Sequence, residues 1–178
     1  MTREAADASR VRAFIESLGG RSKATATIYL VGGTSAVLKA WRPTTRDIDM
    51  RVEPESATGT IGDAIVDIKR ELGISVEFSS PMDFLPELPG WRDRSPFVEQ
   101  VGPLTFRHFD FYGQALAKVR RGIDHDAGDV AAMIRDELVE PARAWGFYDE
   151  IRTDFRRFPS IDEPSFAARM RVAFGPRP

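Results

Sequence analysis

Asp47 and Asp49 are separated by a single residue in the run Asp47-Ile-Asp-Met-Arg-Val52. On an extended strand, residues i and i+2 point to the same side, so this spacing brings two carboxylates close together. Such a pair repels itself unless a cation stands between its members. Mg²⁺ or Mn²⁺ suits it, because hard divalent ions take oxygen ligands and Mg²⁺ keeps positions open for phosphate oxygens. Upstream lies Gly32-Gly33-Thr34-Ser35. Two glycines allow backbone to approach a ligand closely, a helix starting there presents N–H groups to an anion, and Thr34 and Ser35 add hydroxyls. A cation held by carboxylates on one side, with amides on the other, describes a site for a nucleoside triphosphate. Either feature alone has an ordinary reading, a turn or an exposed strand edge. Their order (strand, Gly-Gly, helix, strand with the carboxylates) carries the functional one.

The elements that would position these groups follow from the apolar pattern. Val11, Phe14, Ile15 and Leu18 mark one face of a helix over 9–18 that Gly19-Gly20 is expected to stop. Thr27 to Val31 reads as a short buried strand, and Gly32-Gly33 leads into a helix from Ser35 to Trp41 closed by Pro43. In Asp47 to Val52 the acids and Arg51 share one face, and Ile48, Met50 and Val52 the other. A helix carrying Ile61, Ala64, Ile65, Ile68 and Leu72 ends at Gly73. The strand Ile74 to Phe78 then sets Ser75 and Glu77 opposite Ile74, Val76 and Phe78. Residues 80–95 form a loop, and Gly102-Pro103 joins a hairpin of Val98–Val101 and Leu104–Phe109. Asp110 caps a helix to about Arg121; further helices start near Asp126, at Pro141 and near Phe166. The expected fold class is α+β, a small mixed β-sheet flanked by helices with a helical C-terminal half. All 178 residues form one domain, with a sheet-containing core over about 1–109 and a helical part over about 110–178.

Val31-Gly-Gly-Thr34 through Asp47-Ile-Asp-Met50 resembles the signature of the polymerase-β-type nucleotidyltransferase superfamily. Ala117-Lys-Val-Arg-Arg121 followed by Asp126-Ala-Gly-Asp-Val130 is similar to the Lys and Asp-x-x-Asp motifs of the AbiEii and MenT toxins, nucleotidyltransferases of bacterial toxin–antitoxin systems. Asp83-Phe-Leu-Pro-Glu-Leu-Pro-Gly-Trp91 resembles a little-characterised bacterial family of nucleotidyltransferase-like proteins. The likeness spans about residues 29–133. It implies a minimal nucleotidyltransferase fold and Mg-dependent transfer of a nucleoside monophosphate from an NTP, with a tRNA 3′ end or other RNA as acceptor and a cognate antitoxin as partner. Under this resemblance Asp47 and Asp49 are the catalytic metal ligands. Gly32, Gly33, Thr34 and Ser35 hold the β- and γ-phosphates, and Thr45 lies beside the carboxylates. Lys118 meets triphosphate charge, and Asp129 or Asp126 positions Lys118 or the acceptor. The toxin motif extends to a later Arg; here Arg120 and Arg121 follow Lys118 at once. Glu77 stands where the superfamily often carries a third catalytic and metal-binding carboxylate, and reads equally as a solvated strand residue. Arg46 and Arg51 flank the Asp pair, either to contact phosphate or to pair with Glu53 or Glu55.

Read by itself, Asp126 is an N-cap, and Asp129, one turn on, is the better candidate for the site. His125 is an exposed loop histidine, His108 a structural one, and Trp91 part of a hydrophobic cluster under its loop rather than a nucleobase wall. The absence of cysteine excludes disulfides and thiolate zinc sites, and fits a cytoplasmic protein with no membrane segment. A net charge of −2 argues against a generally basic nucleic-acid coat. A strip of Arg120, Arg121, Arg152, Arg156, Arg157, Arg169 and Arg171 reads as a solvated helix face or, for an RNA acceptor, as its track. Nucleotidylation of a protein or small molecule, or a catalytically silent nucleotide- or partner-binding module, are the alternatives. Two intact close carboxylates count against the last.

Overall fold

Ile48, Met50 and Val52 alternate with Asp47, Asp49 and Arg51, and the alternation decides which way their strand faces. In the computed structural model, which describes residues 5–178, the three apolar residues are buried in the core and the three polar ones are half-buried on the opposite side. The protein is α+β, with a five-stranded mixed sheet and, among the described residues, seven helices. It divides into two compact units, residues up to Ser80 with Ser95–Phe109, and Pro81–Arg94 with Asp110–Pro178. Among the described residues, no helix is long and apolar enough to cross a membrane.

The first unit runs α1 (Ala8–Arg21), β1 (Ala26–Val31), α2 (Gly32–Leu38), β2 (Asp47–Glu53), α3 (Thr58–Leu72), β3 (Ser75–Phe78), β4 (Phe97–Val101) and β5 (Leu104–His108). Its sheet has the order β3-β2-β1-β5-β4. Central β1 is antiparallel to β2 and parallel to β5; β3 joins β2 in parallel and β4 joins β5 as the expected hairpin. Helices α1 and α3 cover one face. Val11, Phe14, Ile15 and Leu18 from α1 and Ile61, Ile65 and Ile68 from α3 share a core with Ile28, Leu30, Ile48, Met50 and Phe106. Each such side chain contributes roughly 1.5–3 kcal/mol on leaving water. Phe78 departs from the expected burial; on the edge strand it stays 49% exposed.

Gly19-Gly20 does not stop α1, which continues through both to Arg21. Packing overrides propensity here. A Cβ on Gly19 would drive into the Val101 side chain, so the glycine is what lets the helix lie against the β4–β5 hairpin.

The second unit contains α4 (Phe111–Arg121), α5 (Asp124–Arg135), α6 (Pro141–Arg152) and α7 (Glu163–Phe174). As expected, Asp110 caps α4 by accepting the Tyr112 N–H, and Pro141 opens α6. Its core centres on Tyr148, whose ring meets Trp145, Phe155 and Phe166 edge-on. Residues 81–94 belong to this unit rather than to the sheet. Arg94 reaches Asp110 with two hydrogen bonds, of 3.2 and 2.7 Å, and stacks 4.3 Å above Phe147. Trp91 is buried and donates from Nε1 to Glu87 at 2.8 Å, so it is a cluster residue and no exposed base platform.

Candidate active site

The Asp pair owes its geometry to register. Residues paired across neighbouring strands point to the same face. Asp49 is flanked by Val31 on β1 and by Glu77 on β3, and Asp47 is paired with Ser75. Asp47, Asp49 and Glu77 therefore share the polar face of the sheet, with Glu77 exposed and the aspartates half-buried. Among the described residues nothing pairs with the Asp47 carboxylate. Asp49 is gripped from several directions. Its backbone N–H donates to Thr34 Oγ1 at 2.8 Å, and the Ser79 hydroxyl donates to Oδ1 at 3.4 Å.

The glycine turn lies directly against this pair. Gly32 has φ of 59°, left-handed backbone that disfavours a side chain, and a Cβ there would sit 3.3 Å from Asp49 Oδ2. At Gly33 a Cβ would collide with the Thr45 hydroxyl and lie 3.0 Å from Thr45 Cβ. Thr45 is itself fixed. It exchanges backbone hydrogen bonds with Ala6 and donates its hydroxyl to the Asp47 carbonyl at 3.0 Å. The turn, the strand and the residue preceding it interlock, and no bulk can be inserted among them.

Thr34 and Ser35 are both fully buried. The Thr34 hydroxyl serves the Asp49 amide. The Ser35 hydroxyl donates to the Leu30 carbonyl at 2.9 Å and lies 2.9 Å from His108 Nδ1, which makes that nitrogen the donor. These hydroxyls brace the turn from inside. Burial, with the Lys39 charge adding to it, pushes the His108 imidazole down to about 4, so the ring is neutral near pH 7. Arg46 is exposed beside Asp47, and Arg51 pairs with Glu53 at 3.3 Å, the ordinary alternative for that residue. Ser79 and the His108–Ser35 link escaped the sequence reading. Both are long-range hydrogen bonds that no local pattern announces.

Lys118, Asp126 and Asp129 lie in the second unit, as a buried network. Lys118 Nζ donates to Asp126 Oδ1 at 3.0 Å and to Asp129 Oδ2 at 2.7 Å, with all three side chains 4% exposed or less. Arg121 closes on Asp126 Oδ2 through two hydrogen bonds, of 2.9 and 2.7 Å. Burial alone would raise the Asp126 carboxyl; Lys118 and Arg121 outweigh it and hold the group below its ordinary value. The expected N-cap role for Asp126 is corrected. Helix α5 begins two residues earlier, with Ile123 at the cap, and Asp126 turns inward to the lysine. Both aspartates hold Lys118. His125 is exposed, with its ring 3.9 Å from Asp126. Much of the arginine strip is bonded within the unit. Arg120 donates to Ser160, Arg169 to the Arg120 carbonyl, and Arg152 and Arg157 pair with Glu163 and Asp154.

Among the described residues no three His, Asp or Glu side chains gather into a ready-made metal cage. Asp47 and Asp49 on one face of a strand are the oxygen-donor pair that could hold a hard divalent ion. Comparison of the chain with protein-family models, curated proteins and solved structures finds no match.

Proposed function

We propose that the protein is a Mg²⁺- or Mn²⁺-dependent nucleotidyltransferase whose reaction centre is the polar face of β2. The observation that carries this reading is Asp47 and Asp49 side by side in register, with the Gly32 backbone against the Asp49 carboxylate and Asp47 unpaired among the described residues. Asp47 and Asp49 are the residues that would hold the ion, with Glu77 the neighbouring carboxylate on β3. When bound, the ion neutralises phosphate charge and orients the leaving group. The rest of the work is positioning. Thr34 and Ser79 fix Asp49, Thr45 fixes the approach to Asp47, and the side-chain-free turn leaves room for the phosphates. In the reaction an acceptor hydroxyl oxygen bonds to the α-phosphorus, the bond between that phosphorus and the bridging oxygen breaks, and pyrophosphate departs with the electron pair while the hydroxyl proton passes to solvent.

The resemblance to toxin nucleotidyltransferases makes an RNA 3′ end, such as that of tRNA, the first acceptor to try, and a neighbouring antitoxin the expected partner. The test incubates the protein with each α-labelled nucleoside triphosphate, Mg²⁺ and total RNA, with parallel arms of protein and of small hydroxyl compounds. The same reactions are run on Asp47→Ala, verified as folded by circular dichroism. Label transferred by the native chain should drop at least about a hundredfold in the variant, since a metal ligand supplies several kcal/mol of charge stabilisation. Equal labelling by both proteins would place the chemistry elsewhere. No labelling in any arm, together with no Mn²⁺ bound in an electron-spin-resonance titration, would remove the reading.

A further inference from the structure

Helices α5 and α7 both pack on α4 and leave a groove of about 580 Å³ between them. Its walls are mainly apolar, with Val119, Val130, Ile134 and Ala131 among them, and two of its apolar residues stand out in solvent: Ile123 is 40% exposed and Val172 89%. Large aliphatic side chains flanking one apolar groove mark a surface that is covered in use.

The outer face of α5 says what covers it. Asp124 opens the helix and Arg135 ends it, eleven residues and three turns apart, both exposed and both at the groove. Between them the groove-side positions Ala127 and Ala131 are exposed and small. This stripe is complementary to itself when reversed. Laid antiparallel on its own copy, α5 sets each Asp124 beside the partner's Arg135, places the alanines across the two-fold axis where backbones can approach, and covers Ile123 and Val172 from both sides. The remaining charges facing the groove do not oppose this. Lys118 and Asp126 neutralise each other at its floor, and Arg169 lies over Gly122 with one amino group on the Arg120 carbonyl. Asp136 lies 2.9 Å from Arg135, an exposed contact between sequence neighbours worth little in water.

We infer that the groove between α5 and α7 is an isologous interface, its occupant a second copy of this chain with the two α5 helices antiparallel. The inference is independent of the proposed chemistry. Its test is sedimentation velocity on the full chain over a concentration series, with four samples: the native protein, Asp124→Arg, Arg135→Asp, and an equimolar mixture of the two variants. The native protein should run as a dimer. Each single variant, with two like-charge contacts across the axis, should dimerise about tenfold or more weakly. The mixture should recover the dimer, because both contacts across the axis then join opposite charges, one variant supplying only arginines and the other only aspartates. These are surface substitutions, so folding is not at stake, and a Val172→Asp variant provides a second break if the charges are screened. A native protein that stays monomeric at about 200 μM, well above the micromolar range where a specific pair associates, overturns the inference. So does a dimer indifferent to all three substitutions, which would place its interface elsewhere.

Discussion

Asp47 and Asp49 lie half-buried on the polar face of β2, approached by the Thr34 and Ser79 hydroxyls and the Gly32 backbone, whereas Asp126 and Asp129 are sealed inside the helical unit around the Lys118 ammonium and the Arg121 guanidinium. Each cluster is a pair of close carboxylates. In the helical unit the chain supplies the opposing cations itself, and the result is a closed piece of architecture. On β2 the Asp47 carboxylate is left, among the described residues, without a partner. The contrast separates carboxylates neutralised by cations of their own unit from a carboxylate that, among the described residues, faces none.

The sharpest way to break this contrast is at Lys118. Lys118→Met would take the ammonium from between two buried carboxylates, leaving Arg121 on Asp126 alone, and removing one partner of a buried ion pair costs about 3–5 kcal/mol. Urea unfolding of the variant against the native protein measures it; a loss below about 1 kcal/mol would show that the network is not what secures the helices. The corresponding change on the other side, Asp47→Asn, removes no partner and should leave stability within about 0.5 kcal/mol of native.

Acid separates the same two regions by pH. Burial lowers the pKa of His108 in the fold to about 4 against an ordinary 6.5, so between these values the unfolded chain binds the extra proton and the folded one does not. Stability therefore falls as pH drops from 6.5 towards 4, by on the order of 3 kcal/mol in total. Asp126 behaves differently. Its carboxyl is held below 3.8, so its contribution is intact above that value and is lost only in stronger acid. Unfolding curves at pH 7.5 and 5 should separate for the native protein and converge for His108→Gln. If the variant keeps the full slope, the histidine is not its source.

A smaller effect is expected at the interlock beside the Asp pair. Gly33→Ala forces a methyl group into the Thr45 hydroxyl and should cost about 1–3 kcal/mol, part of which Thr45→Ala in the same chain recovers. Thermal melts of the single and double variants check both halves. A methyl accepted without loss would mean that the turn has room the fold does not show.

Much of this was legible beforehand because it is local. The alternation of Asp47 to Val52, the Asp110 cap, the Pro141 start, the end of α3 at Gly73 and that of α4 at Arg121 are properties of a few adjacent residues. What stayed hidden depends on distant partners. Gly19-Gly20 reads as a stop until Val101 and Gly102 of the hairpin are packed against it. Asp126 reads as a cap until Lys118 appears on the neighbouring helix, and neither His108 nor Ser79 shows locally that it reaches Ser35 or Asp49. The candidate site was likewise visible as a spacing, while the bracing under it was not.

Gly32 has a consequence for anyone reading substitutions in this chain. Its left-handed backbone strains any side chain, and the Asp49 oxygen 3.3 Å from where a first carbon would branch would have to give way to one. A saturation scan would register a cost at this position for any side chain, and a survey restricted to groups able to donate, accept or ionise would pass over it. The requirement falls on a residue whose contribution is the space it leaves empty.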